Sequence, residues 1–332
     1  MISVVVVNWN RRELLRACLS SLQWQSDPDF ETIVVDNGST DGSAEVAERE
    51  FRARVIRNPE NRGFCAANNQ GIAAAAGDFI ALLNNDAEAA PDWLAALRRA
   101  CASRPDVGMA ASKILVWEDP RRIDKAGHLI FPDGQNRGRG AGALDQGQYD
   151  REEETLWPDG CAALYRKKML DQIGGFDEDF FAYGDDAELG LRARIAGWKC
   201  VYAPAAVVRH HRGATLGKDS ARRLELIERN RVLLALKLFP WSLLCLNPLF
   251  FGARALAGLM AARNGGGDTA YFPGWDGKWR IARALLRGDL EALRLAPRML
   301  RKRAAIRRIR KLSGREVRQL ILAHRLSLRE VA

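Results

Sequence analysis

Phe79-Ile80-Ala81-Leu82-Leu83-Asn84-Asn85-Asp86-Ala87-Glu88 is the stretch on which the fold turns. Its five leading residues are apolar without a break, and Gly77 and Pro91 bound the run. A short apolar run between such breakers reads as a strand covered on both faces, the kind found in the middle of a parallel sheet. Ligands of such sheets bind beyond the carboxyl ends of the strands. This end carries the carboxylate of Asp86 beside the carboxamides of Asn84 and Asn85, a seat for a hard cation and the phosphates it holds. Taken by itself, the stretch reads equally as an Asx-rich turn leading to a helix from Pro91.

The flanking sequence repeats the pattern. Ser3–Asn8 is a β-branched strand ending in Asn8-Trp9-Asn10, and an amphipathic helix opens at Arg11. Thr32–Asp36 is a second strand ending in Asp-Asn-Gly-Ser-Thr-Asp-Gly, followed by a helix to about Phe51. Arg54–Arg57 is a short strand, Asn58 to Phe64 a loop, and Cys65–Ala76 an Ala-rich helix. After the opening strand come a helix over Asp92–Ser103 and a strand over Val107–Ser112. Strands alternating with helices at this spacing imply an α/β fold, a parallel sheet with helices on both faces. Asn8, Asp36 and Asn84 to Asp86 then share one sheet edge, a repetition that unrelated turns have no reason to produce.

No GxGxxG follows the first strand and no GxxxxGK[ST] occurs, so dinucleotide redox chemistry and P-loop hydrolysis find no support. The run Gly138-Arg139-Gly140-Ala141-Gly142 follows no strand and reads as flexible loop. The six cysteines are scattered without a CxxC pair, which fits buried thiols in a reducing compartment. The chain starts directly on a strand pattern with no signal peptide, and its most apolar stretch, Leu233 to Leu259, is interrupted by charges and prolines. From Ala221 onward there are 24 Lys and Arg against eight acids, whereas residues 1–220 carry 27 against 33. An acidic front and a basic rear suggest two tasks, the rear meeting a membrane surface or nucleic acid.

Residues 117–157 read as a long, charged, glycine-rich loop of the lid or binding type. Ala162–Arg166 is a strand and Lys168–Ile173 a short helix. Asp177, Glu178, Asp179, Asp185, Asp186 and Glu188 then place six carboxylates within twelve residues among aromatics. A helix begins near Asp186 and stops at Gly197; the acids are either its cap and a solvated face or a site. Lys199–Tyr202 and Ala206–Arg209 read as two strands, with His210-His211 after the second. Trp93 and Trp198 are assigned to the core, while Phe180 and Phe181 suit either core packing or stacking on a sugar.

In order along the chain, VVVVNWN (4–10), VVDNGSTDGS (34–43), NRGF (61–64), LLNND (82–86), GGFDEDFFAYGDDAELGLR (174–192) and His210 with Gly213-Ala214-Thr215 resemble the bacterial inverting glycosyltransferases of family 2. The Arg229-Asn230-Arg231 helix and basic tail resemble the rhamnosyltransferase-like branch that builds surface polysaccharides. The resemblance implies a GT-A fold, a mostly parallel sheet flanked by helices, over residues 1–218, with a donor half at 1–112 and an acceptor half at 113–218. Residues 219–332 would form a helical, basic extension.

The resemblance also distributes roles. Asp36 would accept the N3–H of a uracil or thymine base, with Asn8, Arg62, Asn84 and Asn85 around the nucleotide-sugar donor, a UDP- or dTDP-sugar such as dTDP-rhamnose. Asp86 would hold a divalent metal, Mg²⁺ or Mn²⁺. The Asn-Asn-Asp form of this motif supplies a single anion, so a further ligand is needed, and His210 or its neighbour His211 would provide it. Asp186 would be the general base in a single in-line displacement that inverts the anomeric carbon, its pKa raised by Asp185 and Glu188. Trp157, Tyr183 and Asp185 would meet the acceptor, a saccharide or a polyprenyl-linked saccharide.

Beyond residue 220 the pattern shows a helix over Ser220–Leu238, an apolar stretch broken by two prolines, and separate helices at Trp279–Arg287, Leu290–Leu295 and Met299–Leu312. Ser313 and Glu316 form a capping box for a last helix. Basic amphipathic helices of this kind suit an anionic membrane surface and a peripheral position on the cytoplasmic face of the cell membrane. Two other readings compete. A nucleotidyltransferase would want a Gly-rich basic signature after the first strand, where Asn8-Trp9-Asn10-Arg11 stands instead. Nucleic-acid binding through the basic tail leaves the acidic front half without a purpose.

Overall fold

A computed structural model describes residues 1–102, 104–211, 220–263, 272 and 274–331. The chain divides into two compact units, Met1–His128 with Gly138–Arg212, and Leu129–Arg137 with Gly213–Ala332. The Gly213-Ala214-Thr215 motif lies outside the described residues.

Up to His210 the chain runs β1 (Ile2–Asn8), α1 (Arg12–Leu22), β2 (Phe30–Asp36), α2 (Ser43–Phe51), β3 (Arg54–Arg57), α3 (Gly63–Ala74), β4 (Phe79–Leu83), β5 (Ala87–Ala89), α4 (Trp93–Ala102), β6 (Val107–Val116), β7 (Ile123–Lys125), β8 (His128–Ile130), β9 (Asn136–Gly138), β10 (Glu153–Thr155), β11 (Ala162–Arg166), α5 (Lys167–Ile173), α6 (Asp185–Ile195) and β12 (Lys199–His210); β8 and β9 fall mainly in the second unit and the others in the first. The main sheet has the order β10-β12-β6-β11-β4-β1-β2-β3, with β5 on β12 and β7 on β6. β3, β2, β1 and β4 are mutually parallel, and so are β6 and β12. β11 is antiparallel to both of its neighbours, β4 and β6. The result is an α/β fold whose parallel donor-side strands are joined through β11 to a mixed half.

β1 shows why the apolar runs are central strands. Val4 and Val6 belong to the core that includes Leu15 and Leu19 of α1 and Trp93 and Leu97 of α4. Val5 points the other way: a Cβ on Gly71 of α3 would lie 2.3 Å from it. Alternate residues therefore face different helices, and neither face is free to be polar. The outer strand β3 instead exposes Arg54 and Arg57, charges that discourage further strand pairing at this edge.

Several sequence expectations change here. Residues 117–157 are not one long loop: β6 continues to Val116, and β7 to β10 follow as three-residue strands. The Gly138–Gly142 run is a bonded turn, with Arg139 N–H donating to Gly127 at 2.9 Å and Gly142 N–H to Ile123 at 2.8 Å. The two expected strands after Gly197 form one strand, β12, whose pairing with β6 is irregular between Ala203 and Val207. Pro204 sits in that irregularity, where a missing N–H is tolerated.

The second unit contains α7 (Ala221–Leu238), α8 (Trp241–Leu244), α9 (Asn247–Arg263), α10 (Gly274–Ile306), α11 (Gly314–Ala323) and α12 (Leu328–Val331). Its β-ribbon segment is tied in by Asp133, whose carboxylate takes Arg254 Nε at 2.5 Å and whose carbonyl takes Arg231 at 3.0 Å and Asn247 at 2.9 Å. Glu228 completes this buried cluster against Arg231 and Arg254, so its charges are paired where water is excluded. The three short helices expected after Trp279 are one 33-residue helix, α10, with Pro297 inside it. Gly288, which reads as a break in sequence, is a contact: a Cβ there would meet the Glu225 carbonyl of α7 at 2.6 Å. The Ser313–Glu316 capping box forms as expected.

Candidate active site

Every residue discussed in this section belongs to the first unit. At the ends of β1, β2 and β4 the polar side chains hold one another. Asn8 is fully buried; its Oδ1 accepts from Asn85 Nδ2 at 2.6 Å and its Nδ2 donates to Ser39 Oγ at 3.2 Å. Ser39 Oγ also accepts from Asn10 N–H at 2.8 Å, and Asn10 and Arg11 both take positive φ values at this turn. The Asn-Trp-Asn sequence is thus a left-handed corner pinned by the loop after β2. Asn8 and Asn85 spend amide atoms on this frame. Arg62 is exposed, while its N–H donates to Asn37 Oδ1 at 3.1 Å.

Asp36 is buried at the end of β2. Its Oδ2 accepts from Ser39 N–H at 3.2 Å, whereas its Oδ1 has no hydrogen-bond partner among the described residues. Gly38 follows with φ +82, and a Cβ there would lie 2.8 Å from the Glu60 backbone. The loop therefore needs glycine to let the 58–62 segment close over it.

Past β4 the chain turns through Asn84 and Asn85 and pairs β5 with the end of β12, setting Ala87 opposite His210. This brings His210 Nε2 to 3.4 Å from Asp86 Oδ1. His210 Nδ1 lies 2.8 Å from Asp124 Oδ2 on β7. Asp86 and His210 are buried, and Asp86 Oδ1 has no hydrogen-bond partner among the described residues. Burial opposes a charge on the imidazole, but Cys161, Asp124 and Asp86 outweigh it and hold the His210 pKa well above the usual histidine range. The ring between two carboxylates thus attracts positive charge, whether a proton or a cation. His211 faces elsewhere: its ring stacks on Trp117 at 4.2 Å, and its N–H donates to the Asp86 carbonyl at 2.9 Å.

The second cluster forms where α6 starts. Asp186 Oδ1 accepts from Ala187 N–H at 2.7 Å and Oδ2 from Gly160 N–H at 3.3 Å. His128 Nε2 lies 3.6 Å from Asp186 Oδ2 and 2.8 Å from Asp159 Oδ2. Lys125 Nζ is 2.5 Å from that same Asp159 oxygen. Burial raises the Asp186 pKa, with Asp159 adding to the rise and His128 and Lys125 opposing it. Asp185 is pushed well above the carboxylate range by burial and then by Asp186. Asp159 goes the other way: burial works to raise it, but Lys125 and His128 hold it well below its usual value.

The raised pKa expected of the acid cluster is present: burial comes first, the Asp185–Asp186 pairing contributes at Asp185, and Glu188 is not among the causes. Glu188 is fully buried and takes both arms of Arg192, at 2.9 and 2.8 Å, so its charge is neutralised within α6. Burial and Asp159, rather than Glu188, act on Asp186. Trp157 is fully buried, with its ring stacked near His128 at 6.0 Å. Phe180 is likewise core, Phe181 is exposed, and Tyr183 is half-buried with φ 68.

Asp124, Lys125, His128 and Asp159 were not singled out in the sequence. They lie on or beside three-residue strands, too short to show a period. The one available signal is the charged pair Asp124-Lys125 between apolar Ile123 and Ala126.

Asp86 with His210 fits a divalent cation: a buried carboxylate oxygen without a hydrogen bond faces an imidazole nitrogen whose other nitrogen is oriented by Asp124. His128, Asp159 and Asp186 also bring ligand atoms within 4.8 Å of one another. There, however, the shared Asp159 oxygen already carries the Lys125 ammonium, which would repel a second cation.

Residues 3–174 match the family described as Glycosyl transferase family 2. The N-acetylglucosaminyl-diphospho-decaprenol L-rhamnosyltransferase of Mycobacterium tuberculosis is 29% identical over 246 residues, covering 68% of this chain and 80% of that protein. Among solved structures, GalNAc-T7 with UDP, GalNAc and Mn²⁺ superposes with a TM-score of 0.60 at 16% identity, over 77% of this chain and 50% of that one. The mannosyltransferase PcManGT of Pyrobaculum calidifontis, in complex with GDP-Man and Mn²⁺, gives 0.54 at 19% identity, over 88% and 86%. The two structures share the GT-A fold with this chain.

Proposed function

The chain belongs to glycosyl transferase family 2, and we propose that it moves a sugar, with inversion, from a pyrimidine nucleoside-diphosphate sugar to a hydroxyl of a saccharide or polyprenyl-linked saccharide in surface-polysaccharide synthesis. dTDP-rhamnose is the donor favoured by the similarity to a rhamnosyltransferase that carries a decaprenol diphosphate acceptor in its name. The observation that carries the reading is Asp86 Oδ1, buried without a hydrogen bond among the described residues and 3.4 Å from His210 Nε2.

In this reading Asp36 Oδ1 accepts the N3–H of uracil or thymine, an acceptor otherwise buried without a partner. Asn8 and Asn85 hold the two strand ends in register. Asp86 and His210 would hold Mg²⁺ or Mn²⁺, which would supply positive charge to stabilise the leaving diphosphate. Arg62, exposed at the start of α3, and Asn84 face the donor from the loop side. Asp186 takes the proton of the acceptor hydroxyl as its oxygen attacks the anomeric carbon and the bond to the diphosphate breaks. One displacement from the opposite side inverts the centre. Ala187 and Gly160 N–H groups fix the carboxylate, and burial makes it a stronger base than a free aspartate. Lys125 and His128 keep Asp159 ionised beside it. Tyr183, Asp185 and Trp157 surround the acceptor side, Trp157 acting from within the core by holding His128. A peripheral place on the cytoplasmic face of the cell membrane goes with a polyprenyl-linked acceptor.

A thermal-shift series with UDP, dTDP and GDP, each with and without Mn²⁺, tests the donor site. Pyrimidine diphosphates should raise Tm only when Mn²⁺ is present. A rise with GDP alone, or an equal rise without metal, would remove both Asp36 and Asp86 from these roles.

A further inference from the structure

Helix α10 (Gly274–Ile306) carries three differently built faces. Successive residues of an α-helix advance by about 100°. On that spacing Gly277, Ala284, Gly288, Ala292, Met299 and Ile306 share one side, and all are buried. Gly288 lets α10 lie close on α7, since a Cβ there would meet the Glu225 carbonyl at 2.6 Å, and Arg229 of α7 bonds Glu291 at 2.7 Å. Trp275, Trp279, Leu286, Leu290, Leu293 and Leu300 share the opposite side, within an arc of about 80°. They are 78%, 70%, 60%, 49%, 65% and 43% exposed. Arg280, Arg283, Arg287, Arg294, Arg298 and Arg301, all exposed, form a ridge over roughly the next 60°. Of the acids on α10, Glu291 turns to α7 and Asp289 is half-buried 3.8 Å from Arg231, which leaves Asp276 as the exposed one.

An apolar stripe this long is not core, because its residues are in water, and it is not an ordinary solvated face, because it is not polar. Two tryptophans at its start and an arginine ridge along its flank match the surface of a bilayer with anionic headgroups: apolar side chains enter the acyl boundary while guanidinium groups meet phosphate. No helix among the described residues is long and apolar enough to cross a membrane, so this is a helix that would lie on a bilayer. α9 shows a smaller version, with Leu249, Leu256 and Met260 exposed at intervals of seven and four residues.

We infer that α10 is the element by which this protein lies on an anionic lipid surface, Trp275, Trp279, Leu286, Leu290 and Leu293 entering the interface and Arg283, Arg287 and Arg294 contacting headgroups. The inference deepens the reading of a membrane-borne acceptor and rests on that reading only for its purpose; the surface itself is independent of the transfer reaction.

The test is co-sedimentation of the full chain with vesicles of phosphatidylcholine, alone or with about one-third phosphatidylglycerol, at low and high salt. Binding should need the anionic lipid and weaken with salt. R283Q/R287Q/R294Q should lower partitioning roughly 100-fold, at about fivefold per arginine. W275S/W279S should lower it about tenfold or more and remove the blue shift of tryptophan emission. Both variants change exposed side chains, so Tm and transfer to a water-soluble acceptor should be unchanged. Failure of binding with transfer intact would sink the surface and leave the proposed reaction standing. Equal binding to neutral vesicles, or binding that neither variant weakens, overturns the inference. So does a concentration-dependent dimer that W275S/W279S dissolves in a protein that ignores vesicles, or retention on nucleic acid in place of lipid.

Discussion

Two carboxylate–histidine pairs stand in the catalytic unit, and they are wired oppositely. In the first, the two nitrogens of His210 face two acids, Asp86 and Asp124, and one oxygen of Asp86 has no hydrogen bond among the described residues. In the second, a single nitrogen of His128 faces both Asp159 and Asp186, Lys125 shares the Asp159 oxygen, and both oxygens of Asp186 hold backbone N–H groups. The first arrangement has excess negative charge and an open oxygen, which suits a cation. The second has its charge compensated and its base fixed, which suits a proton. On the proposed reading the same residue types would serve binding in one place and proton transfer in the other, and the difference would lie in what backs each histidine.

The largest effect expected from breaking this contrast is at Asp186. Asp186→Asn keeps the shape but only one of the two N–H contacts, because the amide nitrogen cannot accept, and it removes the base. Transfer should fall on the order of 10³-fold, while UDP or dTDP binding with Mn²⁺ is retained in calorimetry. Near-normal turnover would take the base role away from Asp186. Next comes the other pair: Asp86→Asn or His210→Ala should cost on the order of 10²-fold in kcat/KM and abolish the Mn²⁺-dependent part of nucleotide binding. If these variants lost activity with the metal dependence of binding intact, the division of labour between the pairs would be wrong.

Asp124 sharpens the comparison because it would act on the proposed metal through His210, whose Nδ1 lies 2.8 Å from it. Asp124→Asn should weaken Mn²⁺ about 10–100-fold in a titration followed by nucleotide binding, with transfer recovering at high Mn²⁺. A loss that added Mn²⁺ does not rescue would mean that Asp124 merely supports the fold.

The donor half was legible because its apolar runs are short, β-branched and covered on both faces, and each ends in a polar residue at the same sheet edge. Asp36 and Asp86 stand out for that reason, Asp186 stands out through the run of six carboxylates around it, and His210 follows from the order of motifs. The backing residues were not legible. Asp124, Lys125, His128 and Asp159 come from segments with no measurable period, and it is β-pairing between β6 and β7, distant in no simple pattern from β12, that brings Asp124 to His210. On α10 the opposite error arises: Gly288 and Pro297 look like helix ends, yet Gly288 is needed for the close approach of α7, and Pro297 falls on the exposed stripe side of an otherwise continuous helix.

The smallest expected effect, and the most specific one, is a pair of opposite pH shifts. Asp186 works only when ionised, so kcat/KM should fall as pH drops through its pKa, which burial and Asp159 have raised above the usual aspartate range. Removing the negative neighbour with Asp159→Asn should ease ionisation of Asp186 and move the acidic limb to lower pH. Removing the positive neighbour with Lys125→Met should hinder it and move the limb to higher pH. Each shift should be about one pH unit. The groups around Asp186 that remain in both variants, His128 and Asp185, are the same, so they do not account for a difference in sign. General damage to the site would lower the plateau in both variants without moving the limb, or would move both limbs the same way. Either result would mean that Asp159 and Lys125 support the fold here and do not tune the base, and that the second pair is set by burial alone.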